Sequence, residues 1–107
     1  MTQKATGKQI ELQKKEEDLN TIIFSLNKSY LKEKIKPFAV DKKILLFKIV
    51  DKYGVSPTKS NDYLLILQSR GYIRIERDVV YYYPEKYEED LKGIIKNIEE
   101  LKWTKLI

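Results

Sequence analysis

The sequence predicts a mainly helical chain with one small β-hairpin, an α+β protein, from three observations. Apolar residues recur at the helical period in residues 9–33, 42–53 and 57–70, and again from residue 85 onward. β-branched and aromatic residues concentrate in two adjacent runs, 72–76 and 79–83. Pro37, Asp41, Gly54, Ser56, Pro57, Gly71 and Pro84 stand between these stretches, where caps and turns need such residues.

Residues 9–33 set Leu12, Leu19, Ile22, Ile23, Leu26 and Tyr30 at helical intervals among charged residues, which predicts a helix frayed at its start. Pro37 interrupts that pattern and biases Lys36 toward extended geometry, so Phe38, Ala39 and Val40 form a short strand. Asp41 caps the next helix, residues 42–53. There Ile44, Leu45, Phe47 and Val50 make an apolar face interrupted by lysines, and Gly54 supplies the left-handed residue that stops it. Ser56 and Pro57 restart the chain as cap and first helical residue. The third helix runs through Arg70, a length of about 21 Å by the helical rise, and Gly71 closes it.

The two β-type runs then form a hairpin turning at Arg77 and Asp78. If the turn has two residues, Ile75 stands opposite Val80 and Ile73 opposite Tyr82 on one face, with Arg74 and Tyr81 on the other; the turn lacks glycine, so the sequence leaves the register open. Pro84 ends the hairpin. From Glu85 the helical period returns, with Tyr87, Leu91, Ile94, Ile98 and Leu101 spaced as in a coiled-coil seam and Ile95 and Trp103 beside them. Folding back onto the N-terminal helix of the same chain competes with pairing to a second copy; the stripe is wider than one partner would need, so a homodimer joined through Tyr87, Leu91, Ile94, Ile95, Ile98 and Leu101 is expected.

The chain has 107 residues, 42% of them apolar, enough for a single domain with one core. Within it, 1–35 is an N-terminal helix, 38–83 the central unit and 85–107 a dimerising helix. Net charge is +5, and residues 36–84 carry +4 of it, which suits a polyanionic partner. With no cysteine and no histidine, disulfides and the usual zinc sites are not expected. Apolar runs such as 44–47 and 63–67 are too short to span a bilayer, and the N-terminus carries no apolar leader, so a soluble cytoplasmic protein is expected. Catalysis is not expected either. There is no glycine-rich phosphate loop, and Glu88, Glu89, Asp90, Glu99 and Glu100 sit among lysines on a helix surface. No cofactor is implied.

The segment Tyr53-Gly54-Val55-Ser56-Pro57, followed by Tyr63, Leu64, Leu67 and Gly71-Tyr72-Ile73, resembles the winged helix-turn-helix DNA-binding proteins, in which a short "GVS" turn precedes the recognition helix. The resemblance covers residues 38–83. With the added C-terminal helix, the layout is similar to the small archaeal, Sso10a-like proteins that dimerise through an antiparallel coiled coil, or to archaeal viral members. It implies a winged helix-turn-helix with additional N- and C-terminal helices that binds double-stranded DNA as a transcriptional regulator or a chromatin-like, nucleoid-associated protein.

The physics of the third helix points to the same residues. Ser60, Leu64 and Leu67 share one face and pack; Thr58, Lys59, Asn61, Asp62 and Gln68 share another and are free. Asn and Gln suit adenine, Thr and Lys suit phosphate or guanine, and Asp62 suits cytosine or a neighbouring lysine. Ser56 at the helix start joins this set. Arg74 and Arg77 in the hairpin suit phosphate or the minor groove, the plainer alternative being cross-strand pairing with Glu76 or Asp78. Lys42 and Lys43 oppose the dipole at a helix start, which a nearby phosphate would offset; solvated lysines are the commoner explanation. Tyr81, Tyr82 and Tyr83 read as core and rim packing rather than a platform for unpaired bases. The rival function is a winged-helix docking module for a protein partner in a replication, transcription or viral assembly complex, which Leu65 and Ile66 on the third helix would serve.

Overall fold

The structure, a computed structural model, describes the backbone of residues 7–106 and the side chains of residues 10–96. Of the proposed dimer seam, Ile98 and Leu101, like the neighbouring Trp103, lie outside the described side chains. The elements run α1 (Gly7–Glu33), β1 (Phe38–Asp41), α2 (Lys42–Tyr53), α3 (Pro57–Ser69), β2 (Ile73–Glu76), β3 (Val79–Tyr82) and α4 (Pro84–Leu106). The described residues are thus mainly helical, with a small antiparallel sheet in the order β1-β3-β2.

Local chemistry sets the helix boundaries. Asp41, extended at φ −68°, accepts from the Ile44 amide at 3.0 Å and starts α2. Gly54 takes φ +63° and returns its amide to the Val50 carbonyl at 3.0 Å, which ends α2 in a left-handed cap. Two residues on, Ser56 accepts from the Lys59 amide at 3.1 Å and Pro57 opens α3. These caps satisfy amides and carbonyls that a short helix would otherwise leave bare.

The hairpin has the register of a two-residue turn: Ile73 faces Tyr82, Arg74 faces Tyr81, Ile75 faces Val80 and Glu76 faces Val79. β1 joins on the other side of β3, with Phe38 against Tyr82 and Val40 against Val80. Alternation along β3 decides two of the three tyrosines, with Tyr82 buried and Tyr81 half-buried; Tyr83, just past the strand, is exposed. Tyr30, Phe38 and Tyr82 meet with ring centroids 6.1–6.3 Å apart, pinning α1 to the sheet.

The core gathers Leu19, Ile22, Ile23 and Leu26 of α1, Ile49 of α2, Tyr63, Leu64 and Leu67 of α3, and Ile73, Val80 and Tyr82 of the sheet. Two expected core contributions differ. Leu12 is exposed, because the stripe of α1 that meets the core begins only at Asp18 and Leu19. In α2 the inward residue is Ile49, with Leu45, Leu46 and Val50 half-buried, whereas Ile44 and Phe47 point outward and Phe47 is 73% exposed. Apolar residues surround most of this helix, so its rotation is set by its neighbours: the Leu46 carbonyl accepts the Ser60 hydroxyl at 3.0 Å, which turns that side toward α3. α4 meets the core through Tyr87, while Leu91, Ile94 and Ile95 are exposed.

Candidate nucleic-acid interface

The outer face of α3 exists because the inner face is buried and held at three points by α2 and α1. Ser60, Tyr63, Leu64 and Leu67 are buried at i, i+3, i+4 and i+7. The Ser60 hydroxyl bonds to α2, as above, and the Tyr63 hydroxyl donates to Asp18 Oδ2 of α1 at 3.0 Å. At the far end Arg70 forms a two-pronged pair with Glu16 at 2.7 and 3.0 Å. The opposite side therefore faces outward: Thr58, Lys59, Asp62 and Leu65 are exposed, Ser56 is exposed just ahead of them, and Asn61 is half-buried.

Gln68 is placed differently from the other polar residues of this helix. Its Oε1 accepts from the Ile75 amide at 2.7 Å, so the side chain ties the last turn of α3 to β2, and its carbonyl oxygen is engaged within the protein. Arg74 is also occupied: it bonds Glu76 Oε1 at 2.8 Å, and its guanidinium lies 4.8 Å from the centroid of Tyr81. Pairing with Glu76 was one of the two expectations for Arg74, but the pair runs along its own strand at i, i+2, and the residue opposite it is Tyr81. Both side chains lie on the sheet face away from the core row of Ile73, Tyr82 and Phe38.

The hairpin tip meets the start of α2. The Lys42 amide donates to the Asp78 carbonyl at 2.8 Å, which sets Lys42, Lys43 and Arg77 at one end of the sheet. None of these lysines and arginines, nor Lys59 or Asp62, forms an ion pair among the described residues. Arg77 holds φ +53°, a conformation that costs an L-residue about 1–2 kcal/mol and glycine little. Arg77→Gly should therefore leave the unfolding free energy unchanged or raise it by up to about 1 kcal/mol, measured by urea denaturation, while removing one cation from the tip.

Sequence reasoning missed the tyrosine hydroxyls that join the outer helices to the centre. Tyr63 donates to Asp18, Tyr82 to Asn27 at 2.8 Å, and Tyr72 to Asp90 of α4. The available signal was a polar residue lying in line with apolar ones at i, i+4: Asp18 with Ile22 and Leu26, Asn27 with Ile23. Burial, then the hydrogen bond to Asp18, pushes the Tyr63 hydroxyl up to about 12, and the bond to Asp90, then burial, does the same for Tyr72. Folding thus favours the protonated phenols. Their contribution is fully present below the ordinary tyrosine value near 10.0 and is lost as pH rises through about 12, so the unfolding midpoint should fall over that window. On the acid side, hydrogen bonds from Arg70 to Glu16 and from Lys36 to Glu85 lower both carboxyls. These contributions are present above the ordinary carboxylate value and decline as pH falls through the lowered ones.

Comparison with protein-family models, with curated proteins and with solved structures finds no match. Among the described residues, no group of three or more His, Cys, Asp or Glu side chains could hold a metal ion, and no helix is long and apolar enough to cross a membrane.

Proposed function

We propose that the chain is a winged helix-turn-helix protein that binds double-stranded DNA, with α3 in the major groove, the β2–β3 hairpin as a wing against the backbone, and α4 joining two copies. The observation that carries this reading is the outward face of α3, with Thr58, Lys59 and Asp62 uncovered on a helix whose other side is fully engaged. The cations Lys42, Lys43 and Arg77 at the hairpin tip support it, since they supply a second contact suited to phosphate. The sheet order β1-β3-β2, with the tip beside the start of α2, suits a wing. Of the residues read as base-reaching, Gln68 has its carbonyl oxygen engaged, so Ser56, Thr58, Lys59, Asn61 and Asp62 carry the proposal. A regulator or chromatin-like role, associated with the nucleoid, follows from this reading.

The test is a salt titration of duplex binding. Each displaced counterion contributes about 0.9 to the slope of log affinity against log salt, so four or more phosphate contacts predict a slope of roughly −3.6 or steeper. A slope near zero removes the DNA reading.

The dimer is supported by the exposed apolar residues of α4: Ile94 and Ile95 are both 55% exposed in the single chain. Introducing Ile94→Glu with Ile95→Glu should weaken self-association on the order of a hundredfold, since charges buried in an apolar seam cost several kcal/mol. Sedimentation equilibrium reads this directly, and an unchanged association constant moves the interface elsewhere.

One observation favours the second reading, a protein docking module: Phe47 on α2 and Leu65 on α3 are large apolar side chains left exposed. Absence of salt-dependent duplex binding would make that reading the stronger.

A further inference from the structure

α1 and α2 leave between them a groove of ≈ 400 Å³, within the size range of small-molecule sites. Its floor is built from Ile22 and Leu26 of α1 and Ile49 of α2, all buried, with Leu45 half-buried beside them. Along one lip stand Lys48 and Lys52, exposed and four residues apart on α2. The other lip carries the hydroxyls of Ser25 and Ser29.

The charge of this lip is unbalanced. Neither Lys48 nor Lys52 forms an ion pair among the described residues. Among the described residues Asp41 is the one acid lining the groove, and its Oδ1 is taken by the Ile44 amide in capping α2. Like charges at i, i+4 on a helix repel weakly, and an anion between Lys48 and Lys52 would remove that repulsion; Asp51, three residues after Lys48 on the same helix, does not line the groove. Lys52 is held at the edge by the face of Tyr53, 5.6 Å from its ring centroid.

We propose that this groove binds a small amphipathic carboxylate of the medium-chain fatty acid class, with the chain lying over Ile22, Leu26 and Ile49 and the carboxylate between Lys48 and Lys52. The chemistry is complementary at both ends: an apolar body displaces water from the trough, and a carboxylate accepts charge-assisted hydrogen bonds from ammonium groups. A neutral or cationic head would leave the lysine pair as it is or add to the repulsion. The site shares no residue with the proposed DNA surface, so either reading can fail without the other.

The test is a calorimetric titration of the full chain with decanoate, kept below its micellar concentration, alongside decanol and decylammonium. Decanoate should bind once per chain and about tenfold more tightly than decanol, with decylammonium weakest. Replacing both lysines, Lys48→Gln with Lys52→Gln, should bring decanoate to the decanol level and leave decanol unchanged. Both side chains are exposed, and circular dichroism of the variant checks that the fold is intact. Equal affinity for decanoate and decanol would mean adsorption to apolar surface such as that of α4 and would overturn the proposal. So would an absence of decanoate binding, or undiminished decanoate binding in the double variant.

Discussion

Alanine at Lys43, Lys59 and Arg77 together is expected to weaken duplex binding on the order of a hundredfold near 0.1 M salt, at about 1 kcal/mol for each lost phosphate contact, and to flatten the salt slope by about 2.7. The two effects belong together. A cation that touches phosphate releases a counterion, so its removal must lower both affinity and the salt dependence. The three positions are chosen because they are exposed and outside the ion pairs of the described residues, so the folded state loses nothing when they go. They also sample two separate elements, the start of α3 and the junction of the hairpin tip with α2. Fluorescence anisotropy across a salt series reads both numbers. An affinity loss without a change in slope would mean that the substitutions act through the fold, and thermal unfolding of the variant would then show it.

Leu64→Ala is expected to lower the unfolding free energy by about 2–5 kcal/mol, whereas Leu65→Ala, one residue on, should change it by less than about 0.5 kcal/mol. Leu64 is 0% exposed and belongs to the one buried cluster that the helices and the sheet share, so truncation loses apolar burial and leaves a cavity in a packed core. Leu65 lies about a hundred degrees around the helix, on the outward side. Urea denaturation of both variants measures the rotation of α3 directly. For a chain of this size the Leu64 variant should melt at least roughly 10 °C lower. Equal losses at the two positions would mean that the outer face is covered, and the proposed role of Thr58 and Lys59 would go with it.

The parts of the fold legible from sequence are those fixed by contacts close along the chain. Asp41, Gly54, Ser56 and Pro57 mark the ends of α2 and α3 because a cap acts within four residues of itself. The faces of the hairpin were legible from the alternation of Ile73, Ile75, Val80 and Tyr82, but its register was not, because a shift by two residues keeps the same faces and the turn has no glycine to fix its length. The rotation of α2 was not legible: Ile44, Leu45, Leu46, Phe47, Ile49 and Val50 offer apolar residues on nearly every side, and the choice depends on packing with elements distant in sequence, where Ile49 joins the core and the Leu46 carbonyl accepts the Ser60 hydroxyl. Of the candidate site, the outward set on α3 was legible from the spacing of Ser60, Leu64 and Leu67. The engagement of Gln68 by Ile75 was hidden, since it depends on how the end of α3 meets the hairpin, whereas for Arg74 the sequence offered Glu76 as a partner and Tyr81 on the same face, and the structure has both contacts. The meeting of Lys42 and Lys43 with Arg77 was hidden for a related reason: it requires β1 to pair with β3, a contact between residues far apart in sequence.

The most direct measurement is an amide chemical-shift titration of isotopically labelled protein with a short DNA duplex, since it reports which surface is touched without altering any residue. The account predicts the largest shifts at Ser56, Thr58, Lys59, Asn61 and Asp62 and at the tip around Lys42, Lys43, Arg77 and Asp78, with the core amides of Leu19 and Ile22 unmoved. Shifts centred on Phe47 or on α4, or no shifts at saturating duplex, would contradict it.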